Sequence, residues 1–199
     1  MSTSPRGKRT YHHGDLRPAL LRAAAQVLEE QGPAGVLLRE VARRAGVSHN
    51  APYRHFASRE ALLAAAAAQG FEEFSARMQA AGPGAMAETY IAFALEHPQL
   101  FRLMFGGTLK LSSDADLSRA SRGAYEGLVA AFRSRGDVPD PQTAAAAAWS
   151  LVHGLSELLL NGHFVEASAG EGAIGFARRV LGAVRFAAAA PPRPTHSSE

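Results

Sequence analysis

The segment that most constrains the fold of this chain is residues 38–56, where two short helical patterns meet at a glycine. Leu38, Val41, Ala42 and Ala45 recur at helical spacing, so they share one apolar face of a helix of about two turns. Gly46 can adopt the left-handed conformation that ends a helix. Because serine is a good N-cap, the next helix can start near Ser48. The segment therefore predicts a helix-turn-helix motif that places a second helix in the major groove of DNA.

The residues of this motif resemble the TetR family of one-component bacterial repressors, whose N-terminal domain has the same Ala-Gly-Val-Ser turn and a Tyr-x-His-Phe ending. The resemblance extends over residues 11–21 and 58–63 and so covers about the first third of the chain. Further on, Trp149, His153 and Gly154 are similar to the Trp-His-Gly signature of one C-terminal ligand-binding subclass. The resemblance implies a homodimeric transcriptional regulator, most often a repressor, that leaves its operator when a small apolar or amphipathic ligand binds.

Two residues depart from the family pattern. At the position of Leu37 the family usually has Thr or Ser, which forms a capping box with an acid three residues on. Glu40 is retained, but the cap is lost at a cost of about 1 kcal/mol. Pro52 stands where the family often has Leu, and proline is tolerated only in the first turn of a helix. The second helix is therefore expected to start between Ser48 and Asn50, which leaves open which of the next residues face the bases.

Polar side chains around the second helix are the predicted DNA contacts. We expect Tyr53, His55 and Arg59 to contact phosphates, and Ser48 to cap the helix and to be available to a phosphate. Base-edge or mixed contacts are expected from Arg39, His49, Asn50 and Arg54. Two-fold symmetry predicts a near-palindromic operator in double-stranded DNA, with the recognition helices about 34–36 Å apart.

Charge is distributed unevenly along the 199 residues. Residues 1–60 contain 10 Lys or Arg and 5 Asp or Glu, whereas residues 61–199 contain 11 and 13. A basic head on a slightly acidic body is typical of a DNA-binding domain joined to a regulatory one. The chain has no cysteine, so disulfides and cysteine-ligated metals are excluded. The polar, basic start lacks the apolar core of an export signal, and a cytoplasmic protein without membrane association is expected.

Helical patterns dominate the chain, and we predict an all-α fold. A three-helix helix-turn-helix domain is expected over residues 11–60, and a helical ligand-binding and dimerisation domain over residues 61–189. A flexible basic arm is expected over residues 1–10 and a disordered tail over residues 190–199. Asp15 and Ser58 are predicted N-caps. Outside the motif, the predicted helices span approximately residues 16–31, 59–80, 86–96, 98–104, 114–135, 141–161 and 171–189.

The last two predicted helices are apolar on two sides, which is typical of helices packed between two partners. The resemblance implies that they pair with their copies in a four-helix dimer interface. The alternative is that both are core helices of a monomer. The residues predicted at the dimer interface are Leu151, Leu155, Leu158, Ile174, Ala177, Leu181 and Val184.

Aromatic and methionine side chains are abundant in the second part of the chain and are suited to an apolar ligand pocket. The candidates are Phe74, Met78, Phe101, Met104, Phe105, Tyr125, Trp149 and His153. Most such residues are core in any protein, and His153 is as consistent with a structural hydrogen bond to a carbonyl or to Glu157 as with a ligand contact.

Other constellations do not indicate chemistry. His12 and His13 are adjacent and lack a nearby carboxylate cluster, so neither a metal site nor a cofactor is predicted. His153 and Glu157 have no accompanying nucleophile or phosphate-binding loop, so an enzyme is not expected. Two alternatives to a ligand-controlled repressor remain: an architectural DNA-binding protein without an inducer, and a helical small-molecule-binding or enzymatic domain with an incidental basic head.

Overall fold

A computed structural model of the chain describes residues 16–184. These residues form eight α-helices and two short 3-10 turns, and they contain no strand, which confirms the predicted all-α fold. The predicted basic arm, the Asp15 cap, the adjacent histidines and the C-terminal tail lie outside the described residues. The helices are α1 Leu16–Gly35, α2 Leu38–Arg44, α3 Arg59–Ala81, α4 Met86–Glu96, α5 Pro98–Phe105, α6 Ala115–Ser134, α7 Pro141–Leu160 and α8 Gly172–Ala183, and the 3-10 turns are Pro52–Arg54 and Leu111–Ser113.

Helix boundaries follow the predicted stop and start signals in most places. Gly32, with φ 69°, interrupts α1 just before Pro33, at the predicted stop. The Ser58 hydroxyl accepts a hydrogen bond from the Ala61 N–H at 3.1 Å, as expected of an N-cap for α3. Asp140 caps α7 through bonds from the N–H groups of residues 142 and 143. Leu37 is the N-cap of α2 and makes no capping hydrogen bond, because its apolar side chain has no acceptor atom.

The chain divides into two compact units. The N-terminal unit comprises residues 16–74 and 97–124 of the described chain, and the C-terminal unit comprises residues 75–96 and 125–184. The contacts of the N-terminal unit continue beyond residue 60 because Leu62 and Phe71 of α3 and Phe101 of α5 are buried within it. The predicted domain boundary at residue 60 stays a prediction.

Helix α5 is held in the N-terminal unit by two close contacts. The carboxylate of Glu29 on α1 accepts hydrogen bonds from the backbone N–H groups of Gln99 (3.1 Å) and Leu100 (3.0 Å) at the start of α5. On the other side, a Cβ atom at Gly70 of α3 would lie 2.8 Å from the sulfur of Met104 and 3.0 Å from Leu100 Cδ1. The absence of a side chain at Gly70 therefore allows α3 and α5 to pack closely.

The core of the C-terminal unit is formed by Ile91, Leu155, Phe176 and Ala177, from α4, α7 and α8. Arg178 of α8 forms a bidentate ion pair with Glu88 of α4, with both N···O distances 2.7 Å. The hydrogen bonds from Arg178 lower the pKa of the Glu88 carboxyl below its usual range.

This core contains two of the residues predicted at the dimer interface, Leu155 and Ala177. Leu155 is 5% exposed and Ala177 is fully buried, so both are packed inside their own subunit. Ile174 and Leu181 are partly buried against the same core. Two apolar stripes on a helix do not reveal which one the subunit itself covers, so the residues of the dimer interface stay a prediction.

Helix α8 is also shorter than predicted, since it ends at Ala183. Val184 follows in an extended conformation, with φ −86° and ψ 120°. It therefore lies beyond the helical face on which it was predicted.

One described helix, Pro141–Leu160, is long and apolar enough to cross a membrane by length and composition alone. Core helices of soluble proteins pass the same test. This helix also carries Glu157 and contributes Leu155 to the core of the C-terminal unit.

Candidate functional sites

The turn after α2 has the geometry that its sequence predicts. Gly46 has φ 68°, and its N–H donates to the carbonyl of Arg43 at 3.2 Å. The N–H of Val47 donates to the carbonyl of Ala42 at 3.0 Å. These two bonds satisfy carbonyl groups at the end of α2, as in glycine-terminated helices generally. The chain then turns towards the second part of the motif.

The second part of the motif differs from its prediction. A single 3-10 turn, Pro52–Arg54, stands in place of a helix beginning between residues 48 and 50. Ala51 is its N-cap without a side-chain bond, so the predicted capping role of Ser48 is wrong; Ser48 instead offers its backbone carbonyl to the Ala51 N–H at 2.9 Å. Proline is tolerated only in the first turn of a helix, so a helix that contains Pro52 must begin close to it. Because α3 already starts at Arg59, few residues remain after Pro52 for a longer helix.

Buried anchors fix this short turn to the N-terminal unit. Pro52 is fully buried and Phe56 is 3% exposed. The guanidinium carbon of Arg17 lies 5.5 Å from the centre of the Phe56 ring, within the range of a cation–π contact. Anchoring by two apolar side chains leaves the polar residues between and before them at the surface.

The predicted DNA contacts, apart from Arg59, form one exposed polar set, which we call the recognition surface. Tyr53 is 58% exposed although it is aromatic, and it lies between the buried anchors. Neither Arg39 nor Arg54 has an ion-pair partner among the described residues. The recognition surface consists of Arg39, Ser48, His49, Asn50, Tyr53, Arg54 and His55, all exposed.

The other arginines of the motif are engaged in ion pairs. Arg43 donates two hydrogen bonds to Glu40, at 2.8 and 2.7 Å, and Arg44 is bonded to Glu30 of α1. These hydrogen bonds lower the pKa values of both glutamate carboxyls. The positive charge available to a ligand at this surface is therefore concentrated on Arg39 and Arg54.

Arg59 occupies a different environment from the one predicted for it. Its Nε donates to the carbonyl of Val36 at 3.0 Å, and one terminal nitrogen donates to the carbonyl of Pro33. These bonds tie the first turn of α3 to the connection between α1 and α2. The geometry gives Arg59 a structural role within the unit, and its predicted phosphate contact remains untested.

The predicted ligand-binding residues are divided between the two units. Phe74, Phe101, Met104 and Phe105 belong to the N-terminal unit. The ring of Phe105 lies 5.0 Å from that of Phe101 and 6.2 Å from that of Phe74, measured between centroids. Phe101 is fully buried and Met104 is 2% exposed. The contacts of these four side chains are those of an aromatic core.

The C-terminal unit contains a hydrogen-bonded aromatic cluster, formed by Tyr90, Tyr125, Trp149 and His153. The Tyr90 hydroxyl accepts a bond from the indole N–H of Trp149 at 3.0 Å and lies 2.9 Å from His153 Nδ1. Since Tyr90 already accepts the indole proton, it can donate its own proton to Nδ1 of a neutral His153. The ring centroids of Tyr125 and Trp149 are 5.9 Å apart. The cluster brings together three of the predicted ligand residues, Tyr125, Trp149 and His153. Met78, the fourth predicted ligand residue in this unit, is buried.

Tyr90 is the member of this cluster that sequence reasoning missed. It lies on α4, 59 residues from Trp149 and 63 from His153, so no local pattern connects them. Its burial raises the pKa of its hydroxyl well above the usual value. Burial also lowers the pKa of His153, partly offset by the nearby charge of Glu157.

Packed helices that follow an N-terminal helix-turn-helix motif are typical of one class of protein, the bacterial transcription regulators. A family model described as bacterial regulatory proteins of the tetR family matches residues 20–66, and one described as a tetracyclin repressor-like C-terminal domain matches residues 84–184. The chain belongs to the tetR family, a family of regulators and not of enzymes. The Trp-His-Gly subclass stays a prediction.

Individual relatives are similar over different lengths. The HTH-type transcriptional repressor Rv3405c of Mycobacterium tuberculosis is 34% identical over 68 residues, which are 33% of this chain and 36% of that protein, so the match spans about a third of the relative. A solved protein of unknown function from Rhodococcus sp. RHA1 is 31% identical over 87% of this chain and 95% of its own, with a TM-score of 0.74. A tetR-family regulatory protein from Rhodococcus RHA1 shares the fold at 19% identity over 84% of this chain and 93% of its own, with a TM-score of 0.62.

Proposed function

We propose that the protein is a DNA-binding transcriptional repressor that acts in the cytoplasm as a homodimer and leaves its operator when a small molecule binds. The observation that carries DNA binding is the recognition surface: six exposed polar residues within or next to one short turn that is anchored by buried Pro52 and Phe56, together with exposed Arg39 on α2. A rigidly anchored turn can present these side chains to a groove without further folding, which limits the entropy lost on binding.

The residues of the recognition surface differ in what they can contact. Arg54 carries a planar guanidinium suited to a guanine edge, and Asn50 carries an amide suited to adenine. The Tyr53 hydroxyl and the His55 ring are suited to phosphate oxygens, which fix the register of the protein on the duplex. Arg39, on α2, supplies the second cation without an ion-pair partner among the described residues. Because only one 3-10 turn is available, we expect few base contacts in each half-site.

Fluorescence anisotropy tests this function directly. The purified chain is titrated into labelled DNA from upstream of its own gene and into shuffled DNA of the same length at the same salt concentration. We expect selective binding to the upstream DNA. Arg54→Ala should weaken it by about 1–3 kcal/mol if the guanidinium contacts a base. Arg133→Ala is the matched control, because it removes the same charge from an exposed residue of α6.

The outcomes separate three interpretations. Selective binding that is lost in Arg54→Ala and kept in Arg133→Ala supports an operator-binding regulator. Equal, salt-sensitive binding to both DNAs favours an architectural DNA-binding protein. No binding at low salt would contradict a role for the recognition surface in DNA binding.

The proposed homodimer rests on the apolar residues left at the surface of the C-terminal unit. Leu158 is 40% exposed and Val184 is 38% exposed, and Leu151 on the adjoining part of α7 is half-buried. Leu158→Lys should therefore convert the dimer to a monomer in light scattering after size-exclusion chromatography. Leu111→Lys, at another leucine with 40% exposure but in the N-terminal unit, should leave the dimer intact.

A ligand can release DNA only if it binds the released state more tightly than the DNA-bound one. We propose that the ligand binds at the aromatic cluster of the C-terminal unit and that its affinity there differs between the released and the DNA-bound states. Helix α3 contributes residues to both units, and we propose that it transmits the change to the recognition surface. An added ligand should then lower the anisotropy of the operator complex.

A further inference from the structure

One carboxylate of the C-terminal unit stands apart from the others. Glu88, Glu96, Asp137 and Glu171 are paired with arginines, and Asp140 caps α7. Among the described residues of this unit, three glutamates have neither an arginine partner nor a capping role: Glu126, Glu157 and Glu166. Glu126 and Glu166 are exposed to solvent, whereas Glu157 is half-buried. Glu157 therefore combines partial burial with a carboxylate that forms no ion pair among the described residues, which makes it available to a positively charged partner.

The aromatic cluster lies beside this charge. Trp149, His153 and Glu157 follow one another every four residues on α7 and so share one face, about 12 Å long. The Glu157 charge acts on both His153 and the Tyr90 hydroxyl. Burial lowers the pKa of His153, so the imidazole is neutral above pH 7 and does not compensate the carboxylate.

The aromatic rings provide the other part of a cation site. The centroids of Tyr125 and Trp149 are 5.9 Å apart, and those of Trp149 and His153 are 6.3 Å apart. Trp149 is 37% exposed, and Tyr125 is half-buried, so both can be approached from solvent. The faces of aromatic rings attract cations, and indole does so most strongly.

We propose that the aromatic cluster and Glu157 recognise an organic cation with an apolar body, in which the body packs on Trp149 and Tyr125 and the positive charge faces Glu157. This inference rests on the proposed ligand-binding role of the C-terminal unit and adds the chemical class of the ligand. A neutral molecule of the same shape would leave the carboxylate uncompensated, and an anion would be repelled by it.

Trp149 is the only tryptophan in the chain, so its fluorescence reports on this cluster alone. Full-length protein is titrated with tetraphenylphosphonium, and separately with tetraphenylborate, an anion of the same shape. We expect saturable quenching by the cation and binding of the anion at least about tenfold weaker. Circular dichroism of each sample confirms that the helical content is unchanged.

Two variants test the role of the carboxylate. Glu157→Gln keeps the shape of the side chain, and we expect it to weaken binding of the cation by about tenfold or more. Glu166→Gln removes the same charge from an exposed glutamate of the same unit and should leave the affinity unchanged. Trp149 remains in both variants, so the same signal is measured.

Three results would overturn the inference: no quenching by the cation, equal affinity for the two ions, or equal affinity in wild type and Glu157→Gln. The DNA titration described above is independent of these measurements. Failure of the cation site with selective operator binding intact would reject only the ligand class. Loss of operator binding as well would reject the regulatory function.

Discussion

The recognition surface and the aromatic cluster use polar side chains in opposite ways. Around the Pro52–Arg54 turn, the polar side chains of the recognition surface are exposed, and buried Pro52 and Phe56 anchor the backbone. In the C-terminal unit, the Tyr90 hydroxyl on α4 bonds to both Trp149 and His153 on α7, and these bonds help to hold the two helices together. The side chains of the recognition surface can therefore be substituted without loss of folding. In the aromatic cluster, the hydrogen bonds that contribute to stability belong to the same residues that we propose for ligand binding.

The largest expected effects come from removing a buried side chain from each of the two units that carry these regions. Phe101 in the N-terminal unit and Ile91 in the C-terminal unit are both fully buried. Phe101→Ala should lower the free energy of unfolding by about 3–5 kcal/mol, and Ile91→Ala by about 2–5 kcal/mol. Urea unfolding followed by circular dichroism measures both, and Trp149 fluorescence follows the C-terminal unit separately.

The control for this pair keeps the apolar character of the site. Phe101→Leu should cost clearly less than Phe101→Ala because less volume is removed. If Phe101→Ala leaves the stability unchanged, the aromatic residues around Phe105 are not a core, and the predicted ligand pocket is favoured for them instead. If the two optical signals separate in Phe101→Ala alone, the two units unfold independently.

A smaller effect is expected from removing one hydroxyl. Tyr90→Phe removes the oxygen that bonds both Trp149 and His153, and should lower the free energy of unfolding by about 1–3 kcal/mol. Tyr53→Phe removes a hydroxyl at a 58% exposed position and should change stability by less than about 0.5 kcal/mol. Operator affinity should change in the opposite order: Tyr53→Phe should weaken DNA binding more than Tyr90→Phe does. Equal stability losses in the two variants would contradict the contrast between the two regions.

These contrasts also explain how far the sequence could predict the molecule. The helices, the Gly46 turn and the missing cap at Leu37 depend on neighbours within a few residues, so local patterns were sufficient. The prediction that the second motif helix starts between Ser48 and Asn50 was wrong because the burial of Pro52 and the early start of α3 are set by packing. The Glu29 cap on α5 joins residues about 70 positions apart, as the Tyr90 bonds join α4 to α7, and no local signal announces such contacts.

A gain in stability is expected at the start of α2. Leu37 occupies the N-cap with extended backbone, φ −107° and ψ 141°, and makes no side-chain bond. Leu37→Ser provides an acceptor for the N–H groups of the first turn and should make the N-terminal unit more stable than Leu37→Ala does, by about 1 kcal/mol. Leu37→Ala, which removes the 37% exposed side chain without adding a cap, should not reproduce this gain. The midpoint of urea unfolding by circular dichroism distinguishes the two variants.

The smallest expected effect is a pH dependence that belongs to the aromatic cluster alone. Since burial lowers the pKa of His153 below its ordinary value of 6.5, the folded protein takes up this proton less readily than the unfolded chain. Above pH 6.5 the imidazole is neutral in both states and has no effect; as the pH falls through 6.5, the unfolded chain is protonated first and stability is lost. His153→Asn can still accept the Tyr90 hydroxyl through its amide oxygen but does not titrate. The melting temperature of wild type should therefore fall more than that of His153→Asn between pH 7.5 and 5.5, by less than about 2 °C, and parallel curves would show that His153 is not held neutral by its surroundings.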